Sequence, residues 1–264
     1  MDSSEALKNA AETKALLNAV QGLDFKKIFW ERWKIARKYA GVPDPNAPAL
    51  RTKDTLEIRQ VLNPEFVQGD GADRALLVGQ AFQILQNEYS GKIDFEESPI
   101  GYYFNIGKPR FDEVFFKFYC HACSKFAKDI VLDFVREFIK ISEASLQFKI
   151  TDDPESASTE GRFIIYAPIN TNAAGAVARV LRRLPSEYFF PGRHMFGIPI
   201  TGSIAAVLND PNIDDFNCWF QPRIEEAYEA MLKVVPGLDE EGKFDFFYDV
   251  LKGKLAKSSH FAHM

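Results

Sequence analysis

Residues 112–150, DEVFFKFYCHACSKFAKDIVLDFVREFIKISEASLQFKI, decide the fold of this chain. The part 112–122 is rich in aromatic side chains and follows a Lys-Pro-Arg turn, which predicts a β-strand. Residues 124–140 repeat apolar side chains at helical spacing and predict an amphipathic helix with one apolar face. Residues 146–151 predict a second strand. The stretch therefore predicts a strand–helix–strand unit.

The segments on either side of this unit differ in character. Before it, residues 3–40 and 72–89 have helical periodicity, and the proline-rich run 42–48 separates them because proline cannot continue a helix. Further strands and helices follow, and their predicted ranges are 101–107 and 162–166 for strands and 172–184, 223–234 and 244–256 for helices. We predict an α+β fold with an N-terminal helical region, 1–95, and an α+β domain, 96–264. One continuous domain is the alternative.

Composition excludes several classes of protein. The chain has 264 residues, a net charge of -5, and 46% hydrophobic and 14% aromatic residues, which is enough apolar mass for a folded core. The negative balance argues against a protein that coats duplex DNA. No apolar run has the length of a membrane span, and the first residues lack a secretory pattern. Three cysteines without a framework of pairs indicate a reducing compartment. We therefore predict a cytoplasmic protein without nucleic acid or membrane partners.

The tetrapeptide CHAC, residues 120–123, has two interpretations. Cys120, His121 and Cys123 are potential zinc ligands, but a structural zinc needs four, and no second CxxC or HxxxH pair exists. Strand alternation places Cys120 with Phe116 and Phe118, which favours a buried thiol. We predict no metal site.

Two short strands carry the candidate polar residues. In the first, Lys117, Tyr119 and His121 share a face, which is either a solvated surface or a ligand site. In the second, Lys149 lies between Phe148 and Ile150, so its amine is either exposed or a partly desolvated base. Motifs for nucleotides, dinucleotides, serine nucleophiles and zinc proteases are absent from the sequence. We predict no cofactor.

From about residue 100 onward, an ordered set of sequence blocks resembles the HopA-type effector domain, which is related in fold to bacterial phosphothreonine lyases. These blocks are FFKFYCHA (115–122), ISEASLQFKI (141–150), DDP with GRFIIY (152–154 and 161–166), FGIPITGSIAAVLNDP (196–211) and CWFQPRIEEAYEA (218–230). No single block is specific, but their order is. The separations from His121 to Lys149 and from Lys149 to Arg223 also resemble those of the lyases.

The resemblance implies a fold, a reaction and a set of site residues. The fold would be a lyase-like mixed sheet with packed helices. Stand-alone members of similar size are the lyase component in biosynthesis of class V lanthipeptides. Their reaction eliminates phosphate from phosphoserine or phosphothreonine in a precursor peptide, leaving dehydroalanine or dehydrobutyrine. The partners would be a phosphorylated precursor peptide and the kinase that supplies it. The implied roles are general base for Lys149, general acid for His121, a hydrogen bond from Tyr166, and phosphate binding by Arg223, Arg162 and Lys117.

Two departures from the family pattern keep other functions open. Glu160 and Gly161 stand where the family usually has Arg and Asp, and Pro222 replaces the glycine before the last arginine. These changes favour the alternative of a non-catalytic, effector-like module that binds a peptide or protein. A helical adaptor with an accidental similarity is a third hypothesis.

Overall fold

The computed structural model describes residues 3–39, 74–98, 101–150, 163–190, 197–211, 216–234 and 237–264. The chain divides into two compact units. The first comprises Met1–Gly22 and Glu65–Pro211, and the second comprises Leu23–Pro64 and Asn212–Met264.

The first unit combines four helices with a sheet, counting only described residues. Its helices are α1 (Ser3–Gln21), α3 (Arg74–Glu88), α4 (Ala127–Ile141) and α5 (Ala173–Leu181). Its strands are β1 (Ile93–Ser98), β2 (Gly101–Ile106), β3 (Phe115–Cys120), β4 (Leu146–Ile150), β5 (Phe163–Pro168), β6 (Ile198–Pro199) and β7 (Ile204–Asn209). The second unit contains α2 (Phe25–Tyr39), α6 (Phe216–Val234) and α7 (Glu240–Leu255).

The described strands form one sheet in the order β1-β2-β4-β5-β3-β7-β6. Every pair of neighbouring strands in it is antiparallel. The predicted strand–helix–strand unit is present as β3–α4–β4, and β5 lies between its two strands. The strands β3 and β4 therefore run in the same direction without pairing. The α+β class is confirmed. The resemblance predicted a mixed sheet, but because β5 lies between β3 and β4, all neighbouring strands in the described sheet are antiparallel.

Helix α4 covers one face of the sheet with aromatic side chains. The ring of Phe134 lies 5.5 Å from that of Phe148 on β4 and 5.4 Å from that of Phe163 on β5, centroid to centroid. These three side chains are completely buried. Edge-to-face contacts of this kind add to the free energy gained by burial. The apolar side chains of α4 thus form the core of the first unit together with those of the sheet.

Helix α1 packs against α5 and the end of α4 through polar contacts. The Asn9 amide donates to the Ile141 carbonyl over 2.7 Å, and Arg179 donates to Asn9 Oδ1 over 2.6 Å. Arg179 also pairs with Glu5 at 2.7 Å. Helix α1 belongs, with the sheet, to the first unit, and the predicted boundary between residues 95 and 96 falls inside β1. The units therefore follow long-range packing rather than the order of helical and mixed segments along the chain.

Gly175 lies where α5 approaches α1 closely. A Cβ there would lie 2.0 Å from the Asn9 carbonyl oxygen and 2.7 Å from Thr13 Oγ1. Its amide donates to the same Thr13 hydroxyl at 2.9 Å. Gly175→Ala should therefore force the helices apart and lower the free energy of unfolding by about 1–3 kcal/mol, measured by urea denaturation.

Gly79 in α3 provides the matched control. A Cβ at this helical glycine would meet nothing within 4 Å. Because alanine is the better helix former by roughly 1 kcal/mol, Gly79→Ala should leave stability unchanged or raise it. An equal loss of stability in both variants would contradict the steric argument.

The second unit is held together by aromatic side chains. Trp33 on α2 contacts Tyr228 on α6 at 5.9 Å and Phe247 on α7 at 5.3 Å between ring centroids. The Trp33 indole also donates to Glu240 over 3.3 Å. Such rings bury large apolar areas and dominate packing. Within the described residues, no helix has both the length and the apolar character that crossing a membrane requires.

Candidate functional site

The sheet face opposite α4 carries the predicted polar residues of β3, β4 and β5. Lys149 lies opposite Tyr103 on β2 and Ile164 on β5, and Ile164 lies opposite Tyr119 on β3. Two residues along the strands, a second row runs across the same face. Its members are Asp94, Asn105, Gln147, Tyr166, Lys117 and Val207. Long-range register thus places Lys149, Tyr166 and Lys117 on one surface.

The register also sets the spacing of these residues. Tyr166 and Lys117 are direct cross-strand neighbours, at about 5 Å between Cα atoms. Lys149 and Lys117 are separated by two strand spacings and two residues, which corresponds to roughly 12 Å. Tyr166 therefore lies between the two lysines across the sheet, directly opposite Lys117 and diagonal to Lys149.

Aromatic rings hold both lysine ammonium groups. Lys117 Nζ lies 5.2 Å from the centre of the Tyr119 ring and 5.4 Å from that of Tyr166. Lys149 Nζ lies 5.8 Å from the centre of the Tyr103 ring. Attraction between a cation and the face of an aromatic ring orients such amines and increases when water is excluded.

Water access differs across this face. Lys117 is 1% exposed and Lys149 is 8% exposed, which is rare for lysine. By contrast, Tyr103, Asn105, Gln147 and Tyr166 are half-buried. The face is therefore most accessible from solvent along β2, β4 and the end of β5, and least accessible at β3.

His121 lies immediately after β3, two residues beyond Tyr119. It occupies a tight turn in which the Ala122 amide donates to the Cys120 carbonyl over 2.9 Å, and its own amide donates to Ser203 over 3.4 Å. The residue is 4% exposed. The structure thus places His121 at the end of the strand that carries Lys117 and Tyr119, in an enclosed position.

The two predicted phosphate-binding arginines are not among the described residues of this sheet face. Arg162 is outside the described residues, as are Glu160 and Gly161. Arg223 belongs to α6 of the second unit, where its guanidinium stacks 4.2 Å from the centre of the Trp219 ring and donates to the Trp219 carbonyl. Among the predicted site residues, Lys149, Tyr166 and Lys117 are the ones that the sheet itself brings together.

The cysteines of the CHAC segment are buried. Cys120 is on the α4-covered face with Phe116 and Phe118, as alternation predicts, and burial raises the pKa of its thiol well above the ordinary value. A protonated thiol is a poor metal ligand. In the described part of the chain, no three His, Cys, Asp or Glu residues are grouped so as to hold a metal ion.

Comparison with known proteins identifies the fold. No family model matches the chain, and no curated protein matches it. An effector protein from Pseudomonas syringae pv. tomato strain DC3000 superposes with a TM-score of 0.54 at 10% identity, over 90% of this chain and 94% of that one. An effector from Pseudomonas syringae pv. syringae strain 61 gives 0.54 at 11% identity, over 88% and 93%. The chain has an effector-like fold. This agrees with the HopA-type resemblance in the sequence.

Sequence patterns missed two members of this face. Tyr103 and Asn105 neighbour Lys149 and Gln147 only because β2 pairs with β4. Alternation within β2 assigns Tyr103 and Asn105 to a common face, but it does not determine the partner strand. No local signal in the sequence would have selected these residues.

Proposed function

We propose that this protein is a carbon–oxygen lyase that eliminates phosphate from phosphoserine or phosphothreonine in a peptide. The observation that carries the proposal is the buried pair Lys149 and Lys117, which flank Tyr166 on one sheet face. In the biosynthetic form of the proposal, a kinase first phosphorylates a precursor peptide, and the products carry dehydroalanine or dehydrobutyrine, as in lanthipeptide formation. We place the reaction in the cytoplasm.

The residue types suit the two bond changes of this reaction. A base must remove the proton from Cα while the bond between Cβ and oxygen breaks and phosphate departs with the electron pair. Lys149 is assigned the first step, because a lysine amine in its neutral form can take a proton. A protonated histidine, His121, donates to the departing oxygen. Lys117 stabilises the phosphate charge, and Tyr166 donates a hydrogen bond.

A second candidate is a non-catalytic module that binds a phosphorylated partner. The likeness to two effector proteins is the observation that favours it, because that likeness concerns the fold alone. The same lysines would then bind phosphate without any bond being broken. The two candidates differ in one measurable outcome, which is whether the phosphopeptide changes mass.

Mass spectrometry of a phosphopeptide separates these candidates. Wild-type protein should convert a leader-bearing phosphoserine peptide into a product lighter by one phosphoric acid, and added thiol should then form an adduct with the dehydroalanine. Release of inorganic phosphate with recovery of serine would indicate hydrolysis and contradict the lyase proposal. An unchanged peptide that still binds would support the binding module.

The sequence resemblance predicts that Arg223 contributes to phosphate binding. A charge-assisted hydrogen bond contributes about 1.5–3 kcal/mol, so Arg223→Ala should weaken binding of a phosphopeptide by about 10–100-fold in fluorescence anisotropy. The unphosphorylated peptide should bind the variant and wild type alike. The exposed Arg183 supplies the matched control, because Arg183→Ala removes the same charge elsewhere. Equal losses for both peptides would show that the effect is not specific to phosphate.

A further inference from the structure

Two side-chain amides, Asn105 and Gln147, form a cross-strand pair beside the candidate site. They are register partners on β2 and β4, and Gln147 Nε2 donates to Asn105 Oδ1 over 3.0 Å. Both are half-buried, so solvent and ligands reach them. The next member of this row is Tyr166, which lies directly opposite Gln147.

The pair retains hydrogen-bonding capacity after this contact. One carboxamide NH₂ and one carboxamide oxygen form the mutual bond, which leaves the NH₂ of Asn105 and the oxygen of Gln147 for another partner. Exchanging nitrogen and oxygen in both amides leaves the same complement, with the roles reversed. A donor and an acceptor side by side match the C=O and N–H of a peptide backbone.

The pair of Asn105 and Gln147 lies close to Lys149, the proposed base. Gln147 is two residues from Lys149 along β4, or about 7 Å. An extended peptide advances about 3.4 Å per residue. If such a peptide runs along β4 with its phosphorylated residue beside Lys149, the residue two positions away in the peptide lies beside Asn105 and Gln147. The half-buried residues of β2, β4 and β5 are also the part of this face that solvent reaches most easily.

We propose that Asn105 and Gln147 form a clamp for the backbone of the substrate peptide, about two residues from the phosphorylated side chain. The proposal rests on the proposed function in taking a phosphopeptide as the ligand. It adds that the substrate is an extended peptide recognised through a main-chain amide. A free phosphoamino acid and a folded phosphoprotein surface both lack an accessible peptide group there. Asn105 and Gln147 are positioning residues that act through binding.

The test combines backbone-modified phosphopeptides with variants of the clamp. A series of labelled phosphoserine peptides would carry one N-methyl group on each backbone nitrogen in turn, and binding to the full chain would be followed by anisotropy. One or two positions near the phosphoserine should lose about tenfold in affinity with wild type, the value of one hydrogen bond. Gln147→Met, which keeps the side-chain size, and Asn105→Ala should bind the unmodified peptide about tenfold more weakly and become insensitive to methylation at those positions.

The control and the elimination assay separate the possible outcomes. Glu97 is exposed and belongs to the other face of the sheet from Asn105 and Gln147. Glu97→Gln should therefore leave the methylation profile unchanged. Variants that keep the wild-type affinity and profile, or a wild type that binds no phosphopeptide, would overturn the clamp. Elimination measured in parallel reports on the chemistry alone. A methylation-sensitive protein that releases no phosphate would retain the clamp and lose the lyase assignment.

Discussion

Lys149→Ala should abolish elimination of phosphate from a phosphoserine peptide. The proposed mechanism assigns proton removal from Cα to this amine, and a general base contributes about 10²–10⁴-fold to the rate. Lys149 is 8% exposed, on β4 between two buried neighbours, so bulk water has little access to replace it. The measurement is a single-turnover time course by mass spectrometry at saturating protein.

Two controls distinguish a lost base from a lost charge or a lost fold. Lys149→Arg keeps a cation but supplies no base at neutral pH, so it should be as inactive as the alanine variant while binding phosphopeptide more tightly than that variant. A small primary amine added to Lys149→Ala should restore part of the rate. Full activity in Lys149→Arg would contradict the assignment, because only the charge would then matter.

His121→Ala should slow elimination by about 10²–10⁴-fold and leave phosphopeptide binding unchanged, because the phosphate remains bound by the cationic groups. The proposed role is donation of a proton to the oxygen that leaves Cβ. Phosphate carries its own second proton below about pH 6, and that proton can replace the missing acid. The ratio of wild-type to variant rate should therefore fall as the pH drops below that value.

The exposed His263 provides the matched control for this experiment. His263→Ala should have the wild-type rate at every pH. A His121→Ala variant that binds the phosphopeptide more weakly, with no change in the bound-state rate, would assign His121 to binding and contradict the general-acid role. A variant with the wild-type rate would return His121 to a structural role at the end of β3.

Sequence patterns predicted only part of the candidate site, for a physical reason. Alternation within a strand is local, so it could assign Lys117 to the face of Tyr119, and Lys149 to the face of Gln147. The roles of Lys149, His121 and Tyr166 and the phosphate contacts of Arg223 and Arg162 remain predictions. The clamp residue Asn105 was missed, since its relation to Gln147 exists only through a strand pairing.

By itself, the sequence determined the central elements of this protein. The periodicity of residues 112–150 predicted β3, α4 and β4 and the α4-covered core, because side-chain direction along a helix or strand follows from backbone geometry within a few residues. Tertiary structure decided the rest. Backbone hydrogen bonds between strands are the same for every residue type, so nothing in β3, β4 or β5 taken singly specifies that β5 lies between the other two. Packing of α1 on α5 likewise depends on Gly175 meeting a helix far away along the chain, and such contacts arise only when the whole core is assembled.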